Sequence, residues 1–140
     1  MSVQAILLPV FAMVLLTFVL LTMTAVTRRN DLAGRRVQIR DIALGQLAWT
    51  PRTQQYGNSY NNQFQLPVLF YVLTILAIIT KDADTLFVVM AWAFVLLRAV
   101  HAYVHITHNN VFRRGAIFGF GAIVLMLMWL IFMIRVVFGL

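Results

Sequence analysis

Four stretches of the chain are long and apolar enough to form helices in lipid. A hydrocarbon core of about 30 Å takes about 20 helical residues, and residues 3–27 run that length without a charged side chain. Residues 66–80, LPVLFYVLTILAIIT, are apolar but short, and make a full span over 58–80 if the polar residues before them are helical too. Residues 85–104 form a third stretch and 115–135 a fourth, which stops at Arg135. Spans two and three are joined by four residues, and backbone in lipid must satisfy its own hydrogen bonds. The predicted fold is therefore an all-α integral membrane protein, an antiparallel bundle of four transmembrane helices. It forms one domain over residues 1–140, with a polar connection at about 28–57. No positive flank precedes the first stretch, so it reads as a retained span and not as a cleavable signal.

Composition agrees and narrows the chemistry. Of 140 residues, 62% are apolar and 11% charged, against about half and a quarter in soluble domains, so lipid is the solvent and membrane lipids are partners. There is no cysteine, so any thiol in this protein's chemistry comes from a ligand. The net charge of +7 does not point to nucleic acid, because the arginines sit beside apolar runs, where they set orientation and attract anionic headgroups. Six arginines (Arg28, Arg29, Arg35, Arg36, Arg40, Arg52) against Asp31 and Asp41 give the first connection +4. Lys81, Asp82 and Asp84 give the second −1, and Arg113 and Arg114 give the third +2. Connections one and three are expected inside, and connection two and both termini outside. Arginine used in place of lysine fits a bacterium with GC-rich codons, hence an inner membrane.

Polar residues then enter the spans in a pattern. Arg98, His101, His105 and His108 are three, four and three apart, one stripe of a helix, and an arginine in a span costs about 2.5 kcal/mol or more unless it faces protein or water. The plainer reading is an arginine snorkelling to headgroups beside interfacial histidines. Asn58, Asn61, Asn62 and Gln65 also share one helical face, ahead of Pro67, which leaves the carbonyl of Gln63 without its donor. That face either lies in water or meets the polar end of span three. With Arg113 and Arg114 at the start of span four, the second arrangement makes a cationic pocket lacking carboxylates, suited to a ligand with two negative ends. The histidines at i, i+4 are thin evidence for a metal, since no carboxylate stands near them, and no metal site is assigned. Gly115, Gly119 and Gly121 would allow close helix approach in an oligomer.

The run NNQFQLPVLFY at 61–71, the run RAVHAYVHITHNNVFRRGAIF at 98–118 and the basic first connection together resemble the MAPEG family, the membrane-associated proteins in eicosanoid and glutathione metabolism. The likeness covers nearly the whole chain and is strongest to bacterial members. It implies a homotrimer of four-helix subunits with glutathione as cofactor, held at subunit interfaces on the cytosolic side. Arg98 and His101 match the family's arginine and histidine spaced three apart. Arg114 falls where prostaglandin E synthase-type members place the arginine that activates the glutathione thiol, which makes it the catalytic candidate. His105 and Phe118 stand where those members have tyrosines. Asn62 matches the asparagine of the second-span motif and Gln65 its glutamate, while Asn61 replaces an arginine of many relatives. Arg28 or Arg29 matches the arginine ending span one, and Arg113 adjoins the site.

The resemblance implies a glutathione transferase or peroxidase that activates a thiol against a lipophilic electrophile or hydroperoxide entering from lipid. Exchange of the glutamate for Gln65 turns a charge-assisted bond to the glutathione ammonium into a neutral one, about 1 kcal/mol weaker. That loss, with the missing hydroxyl at Phe118, favours the alternative of a non-catalytic member that binds and presents a lipid. A small transporter or channel subunit is a third reading, opposed by the lack of an acidic relay within the spans.

Overall fold

The computed structural model describes residues 1–45 and 48–140. The first helix, α1, spans Val3–Ala33, about 46 Å at the α-helical rise and thus longer than the hydrocarbon core. It runs six residues beyond the expected boundary at 27, so that Arg28, Arg29 and Asp31 are helical. The Ser2 hydroxyl caps its start by accepting from the Ala5 amide at 3.2 Å. Its threonines hide their hydroxyls within the helix: Thr17 donates to the Met13 carbonyl at 3.0 Å and Thr24 to that of Leu20 at 2.7 Å. This satisfies a polar group where lipid offers no partner.

The connection expected over 28–57 contains two helices. One is the short α2 at Ile39–Ile42, and the other is α3 at Pro51–Asn62, with proline in its first turn. The expected continuous helix over 58–80 is broken. α3 ends at Asn62, residues 63–65 turn, and α4 runs Leu66–Thr80 with Pro67 in its first turn. Pro67 has no N–H to give back along the helix, and the chain closes instead through shorter bonds, from Gln63 to Tyr60, Phe64 to Asn61 and Gln65 to Asn62, at 3.0–3.2 Å. Together Pro51–Thr80 still have the length and hydropathy of a span.

The third span is α5, Thr85–Ile106, with Asp84 accepting from the Phe87 amide at 2.9 Å. The fourth is α6, Val111–Phe138, capped by Asn110. α5 packs on α1, α3 and α6, and α4 on α1 and α6. Their shared core contains Ile6, Met13, Phe70, Leu73, Ala91, Phe94, Leu125 and Met128, with the Phe70 and Phe94 rings 5.0 Å apart. The outer faces are uncovered, and only 17% of the most apolar window of α6 is buried within the chain. Lipid or other subunits must cover the rest. Nothing lies within 4 Å of where a Cβ would stand at Gly115 or Gly119.

The two ends differ in charge. Eight arginines and two aspartates lie at the end formed by the first and third connections, while the other end carries Lys81, Asp82, Asp84 and Arg135. At that second end Arg135 pairs with Asp84 at 2.8 Å and donates to the Asp82 carbonyl at 3.3 Å, fastening α6 to the start of α5. The hydrogen bond from Arg135 holds the Asp84 carboxyl below its ordinary value.

Candidate functional site

At the arginine-rich end, α3 lies across α1 and the last turn of α5. Asp31, 2% exposed, accepts from the Thr50 hydroxyl at 2.8 Å and its amide at 3.3 Å, so the carboxylate sits at the N-terminus of α3, where helix amides favour it. Further along, Gln55 donates to the carbonyls of His105 at 3.4 Å and Thr107 at 3.2 Å, and Arg52 donates to that of Ile106 at 3.5 Å. These carbonyls have no intrahelical donor because α5 ends there. α3 is thereby fixed to the part of α5 that carries the polar stripe.

Arg98 is the centre of that stripe and only 1% exposed. Among the described residues its hydrogen bonds run through Nη2, which donates to Asn62 Oδ1 at 3.0 Å, the Asn62 carbonyl at 3.3 Å and Gln63 Oε1 at 3.4 Å. Nε and Nη1 are buried without partners among the described residues, which leaves three of the five guanidinium N–H groups unused there. Among the described residues no carboxylate lies within ion-pair distance of it. The Phe118 ring, 5.9 Å from the guanidinium carbon, supplies a cation–π contact worth about 0.5–2 kcal/mol. Each unmade charged hydrogen bond costs at least about 1–3 kcal/mol, so the protein alone leaves this charge under-satisfied.

His101 and His105, 2% and 5% exposed, continue the stripe with rings 5.7 Å apart. Each has a buried Nδ1 without a partner, and His101 also meets Phe118 at 5.7 Å. Arg114 reaches the cluster from α6. Its Nη1 donates to Asn109 Oδ1 at 2.6 Å, and its charge, like that of Arg98, acts on both imidazoles. Asn109 itself has φ 50°, a left-handed conformation that asparagine tolerates.

Other expected members are not drawn in. His108 is exposed because α5 stops at Ile106, which takes it off the stripe. Asn58, Asn61 and Gln65 are exposed, and only Asn62 of that face meets Arg98. The turn at 63–65 takes Gln65 off that face, while Asn58 and Asn61 remain on α3 and point outward because its opposite face, with Thr53, Tyr56 and Ser59, packs inward. Arg113 and Arg29 are exposed as well. Arg28 is the one that packs, its guanidinium 5.1 Å over the Trp49 ring and against Gly57, where a Cβ would come within 3.3 Å of Nη2. Gln63, Gln55 and Arg52 were missed as partners of α5. The buried face of α3 carries Thr53, Tyr56 and Ser59, with Gln63 following in the turn, and it is helically spaced like the face first chosen, so spacing alone does not select between them.

With the cluster in place, comparison with known families decides the class: the family model for the MAPEG family matches residues 6–134. The chain belongs to the MAPEG family. Comparison with curated proteins and with solved structures gives no match. As a MAPEG protein it is a multi-pass membrane protein. Of the residues singled out in the sequence, Asn62 and Phe118 meet Arg98 and His101 meets both His105 and Phe118, Arg114 is held by Asn109 at the start of α6, and Gln65 lies on the outer surface.

Proposed function

We propose that this MAPEG protein is a glutathione-dependent enzyme of the inner membrane that activates the thiol of glutathione, or a similar anionic thiol, against a lipophilic electrophile or hydroperoxide. The observation that supports this reading is the buried, carboxylate-free guanidinium of Arg98 beside Arg114, His101 and His105. Two fixed positive charges in a medium of low dielectric favour a ligand carboxylate and the thiolate form of its sulfur. Arg98 and Asn62 take a carboxylate end, with Phe118 moving aside as the cover of the guanidinium. Arg114, held by Asn109, faces the sulfur. The thiol proton leaves to water, and the thiolate bonds to the electrophilic carbon as the leaving group departs with the bonding pair. With a hydroperoxide, two thiols give disulfide, alcohol and water.

In the homotrimer that the family likeness implies, the exposed Gln65, Asn61, Arg29 and Arg113 are available to a neighbouring subunit and complete the site there. Titration of the detergent-purified protein with glutathione should raise the ultraviolet thiolate band and support conjugation of a chlorinated aromatic, with chloride released. Arg114→Ala should remove both signals. Wild-type turnover no higher than that of Arg114→Ala would eliminate the enzyme. The second reading, a lipid-presenting protein without catalysis, draws on Gln65 facing outward and on the lack of a hydroxyl at Phe118. It would give lipid retention with no thiolate band.

The charge difference between the two ends supports an orientation with the arginine-rich end cytoplasmic and both termini outside. Lys81 is the only lysine and lies, with the N-terminus, at the opposite end. An impermeant amine reagent should therefore label intact cells at Lys81. Labelling only after lysis would reverse the topology.

A further inference from the structure

A buried arginine is ordinarily matched by a carboxylate, yet the side chains that reach Arg98 here are amides. Gln63 is 1% exposed and doubly held: its Nε2 donates to the Ser59 carbonyl at 2.9 Å while its Oε1 accepts from Arg98 Nη2 at 3.4 Å. The bond to Ser59 dictates which way the amide faces, since only a nitrogen can donate to that carbonyl. The turn forced by Pro67 lays Gln63 back along α3, so the position belongs to the tertiary fold and not to a continuous helix. Glutamate has nearly the same shape and would pair with Arg98 directly, at the loss of the bond to the Ser59 carbonyl.

We infer that Gln63 is a positioning residue that sets the anion specificity of the site. Its neutral amide anchors one nitrogen of Arg98 and leaves the positive charge, with the N–H groups of Nε and Nη1, for the carboxylate of a ligand. The inference rests on the anion-binding reading above and adds the residue that keeps the site cationic. Two consequences follow from charge alone. A carboxylate at position 63 satisfies Arg98 internally and competes with the ligand. A small apolar side chain there frees the guanidinium from one of its anchors, which harms both packing and binding.

The test compares wild type, Gln63→Glu and Gln63→Ala in nanodiscs, titrated by calorimetry with glutathione and with S-methylglutathione, alongside thermal unfolding. Gln63→Glu should bind both ligands at least about tenfold more weakly, equivalent to about 1.4 kcal/mol, with a Tm close to that of wild type, because the new pair with Arg98 offsets the lost bond to the Ser59 carbonyl. Gln63→Ala should lose affinity and Tm together. Should Gln63→Glu fail to fold, Asn62→Asp places a carboxylate on the same nitrogen and should give the same loss of affinity. Gln63→Glu binding within twofold of wild type overturns the inference while leaving the proposed site intact. Wild-type binding of both ligands without a thiolate band removes the catalysis and leaves the role of Gln63 standing. No binding of either ligand by wild type removes both.

Discussion

Arg98→Met is expected to produce a protein that unfolds at the wild-type temperature or above it and binds glutathione about a hundredfold more weakly. The two effects oppose each other because the same atoms serve them. In the subunit Arg98 is 1% exposed, with Nε and Nη1 unpartnered, and replacing an under-satisfied buried charge by an apolar side chain of similar size is neutral or stabilising by about 1–4 kcal/mol. Asn62 and Gln63 lose a donor in exchange, which limits the gain, although Asn62 is only half-buried. Binding suffers because truncating one partner of a buried charge pair costs about 2–5 kcal/mol, and a hundredfold, about 2.8 kcal/mol, lies in the lower half of that range. Calorimetry and thermal unfolding on the same preparation check both effects. A Tm several degrees below wild type with unchanged affinity would make Arg98 an anchor of the fold instead of a receptor for an anion.

Phe94→Ala should be the most damaging single change to the bundle. Phe94 is fully buried, its ring 5.0 Å from that of Phe70, and it stands one turn before Arg98 on α5. Truncation of buried phenylalanine costs about 3–5 kcal/mol in soluble cores. In lipid the transfer part of that figure disappears, because acyl chains are as apolar as the side chain, and the lost packing leaves about 2–3 kcal/mol. Leu96→Ala, at a position 61% exposed, removes no internal contact of this kind and should leave unfolding unchanged. Denaturation in mixed micelles compares the two. Equal losses would mean that the face carrying Leu96 is covered by protein in the assembly. Since α5 carries Arg98, His101 and His105, loosening at Phe94 should also weaken glutathione binding, whereas Arg98→Met weakens binding without loosening the core.

The fold was legible to within a few residues where hydropathy sets the boundary, and less so where polar residues do. α1 begins at Val3 and α5 at Thr85, each at the edge of an apolar run. The helical continuations past Thr27 and before Gly115 are polar and carry arginines, so no hydropathy signal marks them. Pro67 leaves the carbonyl of Gln63 without a helical donor, and the chain answers with a turn at 63–65 that parts Gln65 from Asn58, Asn61 and Asn62 on α3. At the candidate site, Arg98, His101 and His105 stand out in the sequence because three polar residues recur on a helix that is otherwise apolar. His108 obeyed the same spacing and failed because the helix ends before it.

By itself, the sequence determined the solvent, the number of crossings, the charge difference between the two ends and the exclusion of chemistry from a protein thiol. These follow from composition and from period along one chain, quantities that do not depend on what packs against what. The tertiary structure decided which of two polar faces of α3 turns inward, that Gln63 and Asn62 share Arg98, that Arg28 and not Arg29 packs against Gly57, and that Asp31 is consumed in holding α3. Each of those outcomes depends on contacts between residues distant in the chain, where a few tenths of a turn separate a side chain buried against a guanidinium from one facing outward.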